Sequence, residues 1–296
     1  MARIIVEEAE ALIDQSIPVL DKGFVRLVDY MGGNQRIVQS ARVSYGAGTK
    51  SFRADRGLIH YLMKNRHTSP FEQVQLSFHT KMPIFVARQW VRHRTARLNE
   101  ISGRYSIMKD EFYLPEPKEI RYQSESNKQG RSDECVPIDE AMAIIARLEK
   151  EQKDVYAHYQ ALLDKNVARE LARSNLPLSL YTEWYWQIDL HNLFHFLELR
   201  LDAHAQYEIR VFGEALARCA KAVAPLAYEA FEEHILDSLT FSRGECDALV
   251  AVMAGREPAL EGRALEGFNA KMKKLKSARQ TAEPPEEPKL PEPSRS

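Results

Sequence analysis

Residues 88–106, RQWVRHRTARLNEISGRYS, hold five arginines and one acidic residue, and Phe85, Val86, Trp90 and Val91 are interleaved with the first of them. Guanidinium groups packed this densely repel one another, and an arginine buried without an anionic partner is costly. A chain with this segment must therefore fold so that its apolar side chains enter a core while its arginines meet water or an anion. The net charge of the 296 residues is -1, so the basic character is local and the surface as a whole is not built to collect nucleic acid. On the residues alone two readings stand: a solvated basic helix face, or a phosphate site. Arginine suits phosphate because its planar fork donates two parallel hydrogen bonds, and the small residues of NEISG let backbone N–H groups approach an anion.

Around this segment the chain reads as a soluble globular protein, 44% hydrophobic and 28% charged. Its length fits one large domain or two small ones. Cys135, Cys219 and Cys246 are too scattered for a disulfide framework or a zinc motif, which fits a reducing compartment. The N-terminus carries acids where a signal peptide needs an apolar stretch, and no apolar run is long enough to span a membrane. A cytoplasmic protein is expected.

Strands are expected at GFVRLVDYMGG, at FEQVQLSFHT with its period of two, and at the aromatic SLYTEWYWQI. NQRIVQSARVSYG and RADRGLIHYLMKNR read as helices. Pro83 can open the helix PIFVARQWVRHR, on which Arg88 and Arg92, four apart, share a face with Gln89. The helix should end in a loop at LNEISG. Residues 107–136 read as a polar surface excursion. A long amphipathic helix covers 138–163, RELARSNL is a short one, Asp189 caps LHNLFHFLELRL, and helices follow at 203–224 and from Pro225. Residues 268–280 are basic, and the Pro/Glu-rich end reads as disordered.

The segment RHRTARLNEISGR resembles the signature of the flavin-dependent thymidylate synthases, RHRxxSxNExSxR. Arg92, His93, Arg94, Asn99, Glu100, Ser102 and Arg104 match, and Arg97 stands where that family usually has serine. SARVSYG (40–46), RHTSPFE (66–72) and the long block 171–209 are similar to family blocks in the same order. The resemblance covers roughly residues 20–235. It implies an α+β fold, with a central, mostly antiparallel sheet flanked by helices and a largely helical C-terminal half. Taken with the change of composition toward the C-terminus, the chain is expected to divide into a catalytic domain at 1–245, a helical extension at 246–280 and a disordered tail at 281–296.

The implied reaction is methylation of dUMP to dTMP, with methylenetetrahydrofolate as carbon donor and FAD, reduced by NADPH, as hydride source. A homotetramer with shared active sites is implied as well. By similarity, FAD would meet Ser69, Arg92, His93, Arg94, Glu100, Asp189, His191 and His195, with His67 and Glu72 shaping its pocket. The dUMP set would be Gln89, Trp90, Val91, Arg92, Glu100, Ser102, Gly103, Arg104, Arg173 and Arg200. Arg200 is the catalytic residue of this reading, since a guanidinium beside the uracil ring stabilises the ionised pyrimidine. Ser102 is read as a binding residue, because no base adjoins it in sequence. A mechanism without a protein cysteine suits the placing of the three thiols.

Other readings compete at single features. His191 and His195 lie one helical turn apart with Glu198 on the same face, which fits a metal site, a polar helix face or a flavin contact. Arg200 lies about 180° around that helix from His191, so its two sides would serve different sites. The rings of YTEWYWQ are core residues or a stacking platform. As whole functions, a nucleic-acid-binding module on Arg88–Arg104 and a metal-dependent hydrolase on His191 and His195 are the rivals.

Overall fold

The computed structural model describes residues 3–43, 52–125 and 130–281. The end of the SARVSYG block and the Pro/Glu-rich end from residue 282 lie outside the described residues. The chain divides after Leu236 into two compact units.

The first unit opens with a short helix α1 (Glu7–Glu10) and strands β1 (Ser16–Val19) and β2 (Gly23–Met31), then helices α2 (Asn34–Arg42) and α3 (Phe52–Lys64). Strand β3 (Gln75–Pro83) leads straight into α4 (Ile84–Trp90), and β4 (Arg97–Glu100) follows. A hairpin of β5 (Arg121–Gln123) and β6 (Arg131–Cys135) precedes the long α5 (Ile138–Asp164) and the short α6 (Arg169–Ala172). Then come β7 (Tyr181–Asp189), α7 (Leu190–Arg200), α8 (Tyr207–Val223) and α9 (Pro225–Phe231). The main sheet has the order β1-β2-β3-β7-β4, with every neighbouring pair antiparallel. This is the expected α+β class with a helical C-terminal half.

Alternation explains the layers. Leu76, Phe78, Trp184, Trp186 and Ile188 point to one face and are buried, while Ser77, His79, Tyr185 and Gln187 take the other face and stay partly exposed. The apolar face packs on α7 and α8 through residues such as Phe196, Ile209, Phe212 and Leu216. Each such aromatic removes a large apolar area from water, worth about 1.5–3 kcal/mol relative to exposure. Pro83, at the last position of β3, serves as the N-cap of α4 in extended conformation, so strand and helix meet without a loop.

Two boundaries differ from the sequence reading. The helix from Pro83 ends at Trp90, because its last turn tightens: Arg92 N donates to Gln89 O at 3.4 Å and His93 N to Trp90 O at 3.0 Å. Arg92 therefore lies beyond the end of α4, on which Arg88 and Gln89 stand. Residues 97–100, expected as loop, form β4. The outer edge of β7 offers unpaired backbone groups, and Arg97–Glu100 satisfy them in register with Gln187–Trp184. The tight turn comes later, at 103–105.

The excursion 107–136 is tied down at one buried carboxylate. Glu208, 2% exposed, accepts from Tyr113 Oη at 3.1 Å and pairs with Arg131. In the second unit, α10 (Arg243–Met253) starts from a capping box of Ser242 and Glu245, and Lys271 on α11 (Gly262–Thr281) donates to both Glu245 oxygens at 2.7 Å. The division at Leu236 precedes the expected 245/246 boundary, which falls inside α10.

Candidate active site

Trp90 accounts for the mixture of arginine and apolar residues. Its ring is fully buried, with Trp186, Phe196, Trp184 and Phe212 at centroid distances of 5.2, 5.0, 5.6 and 5.9 Å. The Trp90 side chain thus belongs to the core and lines neither of the cavities beside α7. By anchoring α4 it presents Arg88, Arg92, Arg94 and Arg97 outward. These four are exposed rather than partly buried, and none forms an ion pair among the described residues. Val91, expected beside a ligand, is also exposed.

Two neighbouring cavities flank α7. The smaller, about 270 Å³, is lined by Arg92, His93, Arg94 and Thr95 on one side and by Asn192, His195 and Arg200 on the other. The larger, about 390 Å³, takes His67 and Thr68 from the HTSPFE block, His191, Asn192, His195 and Glu198 from α7, and an apolar wall that includes Phe71, Phe194 and Phe231. Asn192 and His195 line both. His191 faces only the larger and Arg200 only the smaller, as their half-turn separation around α7 predicts.

The floor of the smaller cavity is electrostatically defined. Arg200 Nε donates to His93 Nε2 at 3.2 Å, so His93 accepts there and carries its proton on Nδ1. Burial, the Arg200 charge and His195 together hold the His93 pKa down to about 4. Burial also lowers the Arg200 pKa, but guanidinium keeps its proton throughout the neutral range. The cavity therefore presents Arg92, Arg94 and Arg200 as cations beside a neutral imidazole. That donor set fits phosphate or another polyanion, and the apolar wall next door fits a planar ring.

Asp189 does not line either cavity. Its carboxylate caps α7, accepting from Asn192 N at 2.9 Å and Asn192 Nδ2 at 2.7 Å. Asn192, which no motif pointed to, is thereby fixed between the cavities; the signal was its place three residues after a capping aspartate. Ser69 and Glu72 are exposed beside the larger cavity without lining it, and Glu72 accepts from Thr68 Oγ1 at 3.3 Å. His191, His195 and Glu198 share that cavity wall, and His195 Nδ1 lies 3.8 Å from Glu198 Oε2, but the three donor atoms do not all fall within 4.8 Å of one another as a metal would require.

The remaining residues expected around dUMP are each held by contacts of their own. A Cβ placed on Gly103 would lie 2.9 Å from Arg173 Cδ and 2.8 Å from Met108 Sδ, so the NEISG loop sits directly against the Arg173 side chain, which any larger residue would displace. Arg104 pairs with Glu170 at 3.1 Å, and its backbone N donates to Ser102 Oγ at 3.3 Å. Glu100 accepts from Thr182 Oγ1 at 2.6 Å. Gln89 donates to Gln206, which in turn donates to Glu208 at 2.8 Å. Gln89, Ser102, Arg104 and Arg173 line neither of the two cavities beside α7, while Arg92, Arg94 and Arg200 line the smaller one.

Comparison with known proteins places this arrangement. The profile described as "Thymidylate synthase complementing protein" matches residues 26–226, and that of the "Thymidylate synthase ThyX C-terminal domain" matches 239–278. The second match extends the likeness past residue 245, where recognisable motifs end. The flavin-dependent thymidylate synthase of Treponema denticola is 62% identical over 268 residues, 90% of this chain and 100% of that protein. A Thermus thermophilus enzyme of the same name is 56% identical, covering 89% of this chain and 94% of its own. Among solved structures, the UMP/dUMP methylase PolB from Streptomyces cacaoi bound with 5-Br dUMP has a TM-score of 0.67 and 31% identity, covering 74% of this chain and 99% of PolB. With its signature residues running from the end of α4 through β4, and these matches over most of its length, the chain belongs to the flavin-dependent thymidylate synthase family.

Proposed function

We propose that this chain methylates dUMP to dTMP, using methylenetetrahydrofolate as the carbon donor and a bound FAD. The observation that carries the reading is the Arg200–His93 pair at the floor of a cavity ringed by unpaired arginines. Arg92 and Arg94 fit the FAD phosphates, and the wall of His67, His191 and His195 with its phenylalanines fits the planar parts of the cofactor. FAD, reduced by NADPH, supplies the hydride of the reaction.

The protein's part is electrostatic. Arg200, with a neutral histidine as its neighbour, places positive charge where a uracil ring would lose its N3 proton. The anionic ring is richer in electron density at C5, the atom that takes the one-carbon unit. Gln89, Ser102, Arg104 and Arg173 serve the nucleotide phosphate and sugar. Because none of them lines the Arg200 cavity of the same chain, a complete site combines the Arg200 cavity of one copy with the Gly103–Arg173 contact of another, in a homotetramer. Among the described residues no helix is long and apolar enough to cross a membrane, and a cytoplasmic location fits the substrates.

The test is conversion of dUMP to dTMP by the purified protein with methylenetetrahydrofolate, NADPH and FAD. A flavin absorbance that bleaches with NADPH is expected, with tetrahydrofolate as the folate product. A protein that cannot bind FAD refutes the reading. For the shared site, Arg200→Ala and Arg173→Ala chains, each inactive, should regain about a quarter to a half of the turnover on subunit mixing, in the way of any two-part site. Inactive mixtures that have exchanged subunits would refute sharing.

A further inference from the structure

A second constellation lies on the far side of the helices that wall the larger cavity. His60 stands on α3, and Glu233 and His234 stand on the π-helical turn Glu232–Leu236 that follows α9. One donor atom from each of the three falls within 4.8 Å of the others, and among the described residues this is the set of His, Cys, Asp and Glu with such spacing. His60 Nδ1 is 3.2 Å from His234 Nε2 and 3.2 Å from Glu233 Oε2. Tetrahedral coordination with metal–nitrogen bonds of about 2.0–2.1 Å sets neighbouring donor atoms about 3.3 Å apart. The two separations from His60 Nδ1 match edges of such a tetrahedron, and the third, 4.0 Å between His234 Nε2 and Glu233 Oε1, closes with a small rotation of the exposed Glu233 side chain.

The proton arithmetic points the same way. His60 Nε2 is buried without a hydrogen-bond partner, 3.5 Å from Glu229 Oε1. Glu229 is itself held by Arg56, whose Nε donates at 2.9 Å. If neutral His60 carries its proton on Nδ1, Nε2 turns a lone pair on the Glu229 carboxylate. If the proton sits on Nε2, it faces Glu229, and the Nδ1 lone pair then joins those of Glu233 and His234 around one point. A cation at that point satisfies all of them. The outer carboxylate completes the usual arrangement in which a ligating histidine donates its second N–H to an acid. The π turn contributes by bringing successive side chains, Glu233 and His234, toward the same neighbour; such turns recur at functional sites.

We propose that His60, Glu233 and His234 form a divalent metal site of the zinc class, with Glu229 as the outer carboxylate and the fourth position open to water. Two imidazoles and one carboxylate suit zinc and its neighbours rather than magnesium or calcium. The histidine side chains are only 14% and 18% exposed, while Glu233 is 61% exposed and leaves a route in. The site joins α3 to the last turn of the first unit, next to Leu62, Met63 and Ile235 of the larger cavity. Its role is to clamp that wall, and no step of the methylation runs through it.

A proton on His60 would meet the same electrostatic demand, and experiment separates the two. Full-length protein, stripped with chelator, is titrated with Zn²⁺ by calorimetry and with Co²⁺ by visible absorption. One ion per chain, tetrahedral Co²⁺ bands and a thermal midpoint raised by Zn²⁺ are expected. His60→Gln with His234→Gln should abolish binding with an unchanged circular dichroism spectrum, and Glu233→Gln should weaken it at least tenfold. Wild-type protein that shows no saturable binding of either ion overturns the proposal, whatever the variants do. So does binding that survives both histidine substitutions.

Discussion

Arg200 Nε and His93 Nε2 meet at 3.2 Å, joining the end of α7 to the first residues of the arginine-rich signature. The bond makes each residue the other's condition. His93 accepts only while neutral, and the neighbouring guanidinium helps keep it so.

Replacing Arg200 with Ala should reduce dTMP formation at least 100-fold, the scale of losing one preorganised charge-stabilising donor. The circular dichroism spectrum should be retained. Turnover within a few-fold of wild type would remove Arg200 from the mechanism.

The same variant should raise the His93 pKa from about 4 toward its ordinary value, because one cause of the depression is gone. Proton NMR titration of the ring reads this directly. Since the folded-state pKa lies below the unfolded one, the unfolded chain binds the extra proton first as pH falls. The His93 contribution is therefore neutral above about 6.5 and destabilising from there down to about 4, so denaturant midpoints should fall across that window. The slope should shrink in Arg200→Ala.

Trp90 and Arg94 should separate anchoring from binding. Trp90→Ala empties the centre of an aromatic cluster and should cost about 3–5 kcal/mol in chemical denaturation. Arg94→Ala removes an exposed side chain with no ion pair among the described residues, and should change stability by less than about 0.5 kcal/mol. It should nevertheless weaken FAD binding several-fold. Equal stability losses in the two variants would contradict the division of labour.

Gly103→Ala should raise the KM for dUMP at least tenfold with a smaller effect on kcat. The added Cβ would come within 2.9 Å of Arg173 Cδ and 2.8 Å of Met108 Sδ, so the Arg173 side chain must shift from its place beside the loop. An unchanged KM would show that this contact does not shape the nucleotide site.

Much of the molecule is legible one residue at a time. The three segments read as strands became β2, β3 and β7, Asp189 capped α7 as its position required, and the signature named a family. Such features depend on local backbone preference or on fixed spacing, which sequence carries in full. Even the half-turn between His191 and Arg200 follows from helix geometry and reappears as two cavities.

What sequence could not decide depends on partners distant along the chain. Residues 97–100 became a strand because β7 has an open edge there, and no pattern within LNEISG records that edge. Trp90 became core because Trp184, Trp186, Phe196 and Phe212 converge on it from three other elements. Asp189 spends its carboxylate on Asn192, and His60 finds Glu233 and His234 more than 170 positions away. Local propensity and spacing set the elements and the family; burial, edge pairing and the meeting of distant charges, which exist only once the chain has closed on itself, set which side chains face a ligand.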